Sequence, residues 1–255
     1  MNTALKALCG LMLFAVSAEA QTPPMAELKV QGGQRFVLIG PKNPWNAQAV
    51  SHNGEPGWIS MECRENERAP GANTASDRIG FDGYVQTIGP VAHIRFSVVP
   101  GENAFAAGPQ DWLNFFELHA KPAPGDKVEN AGPLLFTWEW SPSTKKSEFR
   151  ISRQEIIADP PTDLSSYKRT VLYRSAPMMQ IGARADFVVD IRADLNNTGY
   201  VKVWMNGHQI VNYNGSFGYG ANRPLYPQFR IYRNARSVTS KALFKIDEVT
   251  SSAAP

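Results

Sequence analysis

Apolar and polar residues along this chain alternate with period two in short runs, and no helix-length window sustains an apolar repeat of 3.6. That pattern predicts strands, with few and short helices. The runs fall at 36–39, 59–64, 91–99, 113–119, 134–140, 148–152, 187–192, 200–205, 209–213, 228–232 and 242–249. Gly and Pro punctuate them at intervals of roughly 8 to 15 residues, the spacing of turns in a many-stranded β-fold. There are enough runs for two packed sheets, an all-β sandwich. The plainest local motif is a three-strand meander over 186–213, turned first through Asn196-Asn-Thr-Gly199 and then through Asn206-Gly207. Asn-Gly supplies the two positive-φ residues that a tight type I′ turn requires. Stretches 66–76 and 120–132, rich in Pro, Gly, Ala and polar residues, read as long surface loops of the kind that rim a binding cleft. No internal repeat and no second-domain linker interrupts the pattern.

Composition changes this picture at the N-terminus. Lys6, an apolar run of about 12 residues and the small-residue triplet Ala18-Glu19-Ala20 have the layout of a secretory signal, so 1–20 is expected to be a signal peptide and 21–255 a single β domain. The run is too short for a bilayer-spanning helix, which needs roughly 20 residues, so no membrane insertion is expected after cleavage. Export implies a periplasmic or secreted protein. Removing the signal takes away Lys6 and Glu19 and leaves the formal net charge at +3. A balance this mild favours an anionic partner only weakly and does not call for nucleic acid. Of the two cysteines, Cys9 lies in the signal, so Cys63 cannot form an intrachain disulfide and is expected to be a free structural cysteine, not a reactive thiol.

Candidate chemistry sits on two segments. In Tyr226-Pro-Gln-Phe-Arg-Ile-Tyr232-Arg233, alternation places Tyr226, Gln228, Arg230 and Tyr232 on one face, with Phe229 and Ile231 on the other. Two phenols, an amide and a guanidinium suit a sugar-binding surface, although an ordinary solvated face has the same pattern. In Leu113-Asn-Phe-Phe-Glu-Leu-His119, alternation groups Phe115, Glu117 and His119. A carboxylate two residues from an imidazole can tune it as a base or simply pair with it.

Taken with the hairpin Gly199-Tyr-Val-Lys-Val-Trp-Met-Asn-Gly207, the strand ending in His119 and the strand Tyr-x-x-Phe-x-Ile-Tyr-Arg resemble the heparin-lyase and alginate-lyase group of polysaccharide lyases. Ile59-Ser-Met-Glu-Cys-Arg64 and Ser76-Asp-Arg78 are similar to that group's early strands. The resemblance implies a β-jelly-roll sandwich of the concanavalin A type. It also implies β-elimination at a uronic acid, in which the carboxylate is neutralised, the C5 proton removed and the leaving O4 protonated. By the same resemblance His119 would be a base or carboxylate neutraliser and Tyr232 the proton donor and candidate base. Arg78 would pair with the substrate carboxylate, and Tyr226 would line the groove. The chain departs from the group's pattern at Glu117, where the group has Gln, at Gln228 for Lys, at Arg230 for Gly, and at Ile79-Gly80 for Ser-Glu. Arg230 could then supply the cation missing at 228, whereas an ionised Glu117 would repel a uronate.

Other constellations add little. His52, His93 and His208 have no ligand-like spacing, so no zinc site is expected, and no paired-carboxylate strand of the β-glucanase kind is present. Trp138, Trp140 and Trp204 could stack on sugars or pack in a core. No helix follows Gly215–Gly220 to make it a phosphate loop. No cofactor is called for; calcium stays open because some members of the resembled group bind it, although no Asp-rich loop demands it. The expectation is a monomeric lyase acting on an acidic polysaccharide or oligosaccharide. The alternative is a non-catalytic carbohydrate-binding jelly roll derived from such an enzyme.

Overall fold

The computed structural model describes residues 25–65, 67, 76–127, 132–175, 179–234 and 238–252. The expected signal peptide, 1–20, and most of the 66–76 loop lie outside the described residues. The strands are β1 (Glu27–Lys29), β2 (Arg35–Ile39), β3 (Ala47–His52), β4 (Glu55–Cys63), β5 (Ser76–Asp82), β6 (Val91–Pro100), β7 (Trp112–Ala120) and β8 (Leu134–Ser141). They continue with β9 (Lys146–Ile156), β10 (Tyr167–Ser175), β11 (Ala185–Arg192), β12 (Tyr200–Met205), β13 (His208–Asn214), β14 (Leu225–Asn234) and β15 (Ser240–Ser251). One sheet runs β1-β2-β5-β14-β7-β8-β9-β10 and the other β13-β12-β11-β6-β15-β4-β3. The result is a β-sandwich jelly roll. No helix among the described residues is long and apolar enough to cross a membrane.

Inward-facing residues of the two sheets meet in an aromatic core. Phe96 stacks on Phe116 at 4.8 Å and on Phe187 at 5.1 Å, and Phe115 stacks on Trp138 at 4.2 Å. Offset ring pairs of this kind add to the burial of large apolar area. Trp138 is thus a core residue, whereas Trp140 and Trp204 are half-buried. The meander forms as expected. Asn206 and Gly207 take φ of 51° and 80°, and Asp194 tightens the preceding turn by accepting from the Asn196 N–H at 2.7 Å.

The alternation fails at one informative place. The β14–β7 ladder runs from Tyr226↔His119 to Phe229↔Phe116, then shifts so that Tyr232 pairs with Asn114. This irregularity, matched by one between β7 and β8 at 114–116, turns Phe115 into the core. Phe115 therefore does not share a face with Glu117 and His119, and Asn114 sits beside Tyr232 on the outer face instead.

Between the sheets, Arg233 of β14 pairs with Asp77 of β5 at 3.1 Å, both fully buried, and donates to the Ser240 hydroxyl of β15 at 2.8 Å. Cys63, opposite Ser240, is buried, and burial pushes its thiol up to about 12. A thiol reagent at neutral pH should therefore leave the folded chain lacking residues 1–20 unlabelled and react once urea unfolds it; fast labelling of the native protein would contradict this.

Candidate active site

The outer face of the eight-stranded sheet gathers the candidate residues. Tyr226, Gln228, Arg230 and Tyr232 alternate along β14 with the core residues Phe229 and Ile231 pointing the other way. Register brings His119 beside Tyr226, Glu117 and Asp82 beside Gln228, Gly80 beside Arg230, and Arg78 and Asn114 beside Tyr232.

These side chains form one continuous polar chain. The Tyr226 hydroxyl lies 3.0 Å from His119 Nδ1, which also receives the Ala120 N–H at 3.0 Å. Nδ1 also lies 3.1 Å from the Ala120 carbonyl oxygen, and Nε2 lies 3.9 Å from Glu117 Oε1. Glu117 accepts the Gly132 N–H at 2.8 Å on that same oxygen and the Arg230 guanidinium on the other. Arg230 also donates to the Gln228 carbonyl oxygen, and the Gln228 amide donates to Asp82 at 2.7 Å. Finally the Arg230 guanidinium lies over the Tyr232 ring at 4.5 Å, with that of Arg78 at 5.9 Å and the Trp112 ring edge-on at 4.8 Å.

The face is neither an open sugar platform nor a solvated surface. Glu117 and Arg230 are each 2% exposed, Gln228 1% and His119 5%, while Arg78 and Tyr232 keep partial access. Burial, and after it the neighbouring Arg78 charge, pull the Arg230 guanidinium below its ordinary value. Contact with the Glu117 carboxylate works the other way and holds the cation. Burial likewise raises the Asp82 carboxyl, opposed by hydrogen bonds from the Tyr84 N–H and Gln228.

Two departures noted in the sequence therefore compensate each other: the Glu117 charge that would repel a uronate is spent on Arg230. Gly80 has a different cause: a Cβ there would lie 2.3 Å from Arg230 Cβ, 2.5 Å from the Phe229 carbonyl oxygen and 2.6 Å from Arg230 Cα, so the close approach of the two backbones requires glycine at 80. Glu117→Gln, which restores the residue of the resembled group, should cost stability by about 2 kcal/mol, because it leaves a buried guanidinium without its anion. Chemical denaturation measures this, and an unchanged midpoint would contradict the pairing.

The candidates do not all converge. Tyr226 and Tyr232 are six residues apart on β14, about 20 Å at the rise of a strand, and the Glu117 and Arg230 side chains stand between His119 and Tyr232. The structure therefore brings together Arg78, Arg230 and Tyr232 but not His119 and Tyr232. The residue that local reasoning left out is Asn114. Its Oδ1 accepts from the Thr137 hydroxyl at 2.7 Å, which leaves the amide N–H groups as donors beside Tyr232. Nothing in the local pattern marks it.

Elsewhere, His93 pairs with Asp190 at 2.5 Å and His208 is exposed. Among the described residues no cluster of three or more His, Cys, Asp or Glu side chains is placed to hold a metal. A cavity of about 520 Å³ is lined by Ile88, Leu195, Tyr219 and Pro224 among others, and by none of the candidate residues of this face.

No protein-family model and no curated protein matches the sequence. Solved structures do match its fold. The endo-β-1,4-glucuronan lyase of the fungus Trichoderma reesei superposes with a TM-score of 0.58 at 14% identity, over 84% of this chain and 94% of the enzyme. An alginate lyase in complex with alginate trisaccharide gives 0.55 at 12% identity, over 85% and 88%. The alginate lyase of Klebsiella pneumoniae gives 0.52 at 12%, over 80% and 84%. At these identities the likeness establishes the fold: this chain is built on the jelly roll that glucuronan and alginate lyases share.

Proposed function

We propose that this protein is an exported polysaccharide lyase that cleaves a uronate-containing anionic polysaccharide by β-elimination. The observation that carries the reading is the placement of Tyr232 between Arg78 and Asn114 in register, with a second guanidinium, Arg230, over its ring. The shared fold with glucuronan and alginate lyases supports it.

In this reading Arg78 and the Asn114 amide hold the uronate carboxylate and stabilise the charge that spreads onto it as the C5 proton leaves. Tyr232 is the acid and base: as the phenolate it takes the C5 proton, the C5 electron pair forms the C4=C5 double bond, the C4–O4 bond breaks, and O4 takes that proton from the resulting phenol, which regenerates the phenolate. His119, held by Tyr226 at the far end of the strand, has no role in the proton transfer.

The second reading, a carbohydrate-binding jelly roll without activity, is favoured by one observation, the buried Glu117–Arg230 pair that neutralises the middle of the face. Ultraviolet absorbance of the 4,5-unsaturated uronate, followed as purified protein meets glucuronan, alginate, heparin-like and pectic polymers, separates the two. Rising absorbance on one of them supports the lyase; binding without any rise supports the second reading.

A further inference from the structure

The row of residues that contains Tyr232 does not stop at Asn114. Strand register continues it straight across the sheet: Arg78 (β5) faces Tyr232 (β14), which faces Asn114 (β7), then Thr137 (β8), Arg150 (β9) and Arg174 (β10). Neighbouring strands lie about 4.8 Å apart, so five steps span about 24 Å. The two middle side chains are short and hydrogen-bonded to each other, and both ends are guanidiniums.

The far end is positively charged on balance. Arg150 contacts Glu139 and Glu148 at 3.1 Å each, Arg169 contacts Glu139 at 3.0 Å, and Arg174 approaches Glu148 at 3.5 Å. Three guanidiniums thus share two carboxylates. Arg174 stands at the sheet edge with its side chain 52% exposed, available to an anion from solution. The row through Gln228, made of Asp82, Gln228, Glu117, Leu135, Ser152 and Val171, has no cationic member. An anionic polymer crossing the strands is therefore steered onto the row through Tyr232.

We infer that Arg174, with Arg150 behind it, forms a distal subsite that binds an anionic group of the same polysaccharide chain, several sugar units from the bond cleaved at Tyr232. The inference rests on the polysaccharide reading but not on catalysis. Arg174 makes one long ionic contact, so its substitution leaves the fold and the groups around Tyr232 in place.

The test is retardation of the protein in gels containing glucuronan, alginate or a heparin-like polymer, with a neutral β-glucan as control. Retardation by an anionic polymer should weaken about 3- to 10-fold in Arg174→Ala, return in Arg174→Lys, and fall with added salt because the site is exposed. Carboxylate-only and sulfated polymers in separate gels identify the anionic group. If the wild type turns over, Arg174→Ala should raise KM for the long polymer, with kcat and the kinetics of oligomers too short to span the row unchanged. Retardation lost in Arg174→Ala without turnover by any form upholds the subsite and sinks the lyase reading. Equal retardation of Arg174→Ala and wild type, retardation by the neutral glucan alone, or none at all overturns the subsite.

Discussion

Tyr232→Phe should lower the rate of β-elimination by at least about 100-fold, the usual scale for removing a positioned acid–base group. The substitution removes one oxygen atom. The ring contacts with Arg230, Arg78 and Trp112 do not involve that oxygen, so melting temperature and retention in polymer-containing gels should stay close to wild type. That combination, binding kept and turnover lost, is what a catalytic phenol predicts and what a merely structural tyrosine does not. His119→Ala sharpens the contrast. With Glu117 and Arg230 standing between it and Tyr232, its loss should affect turnover far less than loss of the phenol. A Tyr232→Phe protein with near-wild-type rate would remove Tyr232 from the mechanism, and the reaction would then need another proton carrier on this face.

Asp77→Ala carries the largest expected cost in stability. Arg233 and Asp77 are fully buried between the sheets, and Arg233 Nε and Asp77 Oδ1 have no hydrogen-bond partner among the described residues. The pair therefore gains less than an ideally satisfied one, but removing one member leaves a guanidinium in the core with the Ser240 hydroxyl and the Cys63 thiol, both uncharged, to meet it. Such a change costs about 3–5 kcal/mol, a drop in Tm on the order of 10 °C for a chain of this length. The double substitution Asp77→Leu with Arg233→Met should recover much of the loss, because it removes both charges and keeps the volume. Urea denaturation of the two single variants and the double completes the cycle. A mild effect of Asp77→Ala, or a double variant worse than either single one, would contradict this account of the core.

The local pattern carried much of the fold. The meander was legible because Asn206-Gly207 dictates its turn and the flanking residues alternate cleanly. β10 was not, because Lys168, Arg169 and Arg174 on an exposed edge strand erase the apolar period. β3 escaped for a related reason, a mixed burial pattern with few large apolar residues. Within the site, alternation correctly placed Tyr226, Gln228, Arg230 and Tyr232 on one face. Alternation cannot give the register of two strands more than 100 residues apart in sequence, and register decides which partner each of them meets. Packing settled it: the ladder pairs His119 with Tyr226, and the shift that turns Phe115 into the aromatic core puts Asn114, not Leu113, beside Tyr232. The Glu117–Arg230 contact was hidden likewise. Each residue looked like a departure when considered alone, and only the three-dimensional pairing shows them to be one compensated change.

The mass of the fragments released from a polyuronate tests the central claim most directly. Digestion of glucuronan or alginate by the purified protein, followed by mass spectrometry, should yield a series of oligosaccharides lighter by one water than hydrolytic fragments, each with an unsaturated uronate at its new non-reducing end, only the piece from the polymer's original non-reducing end staying saturated. Fragments that retain that water, or polymers recovered intact from a protein that binds them, would contradict β-elimination at Tyr232.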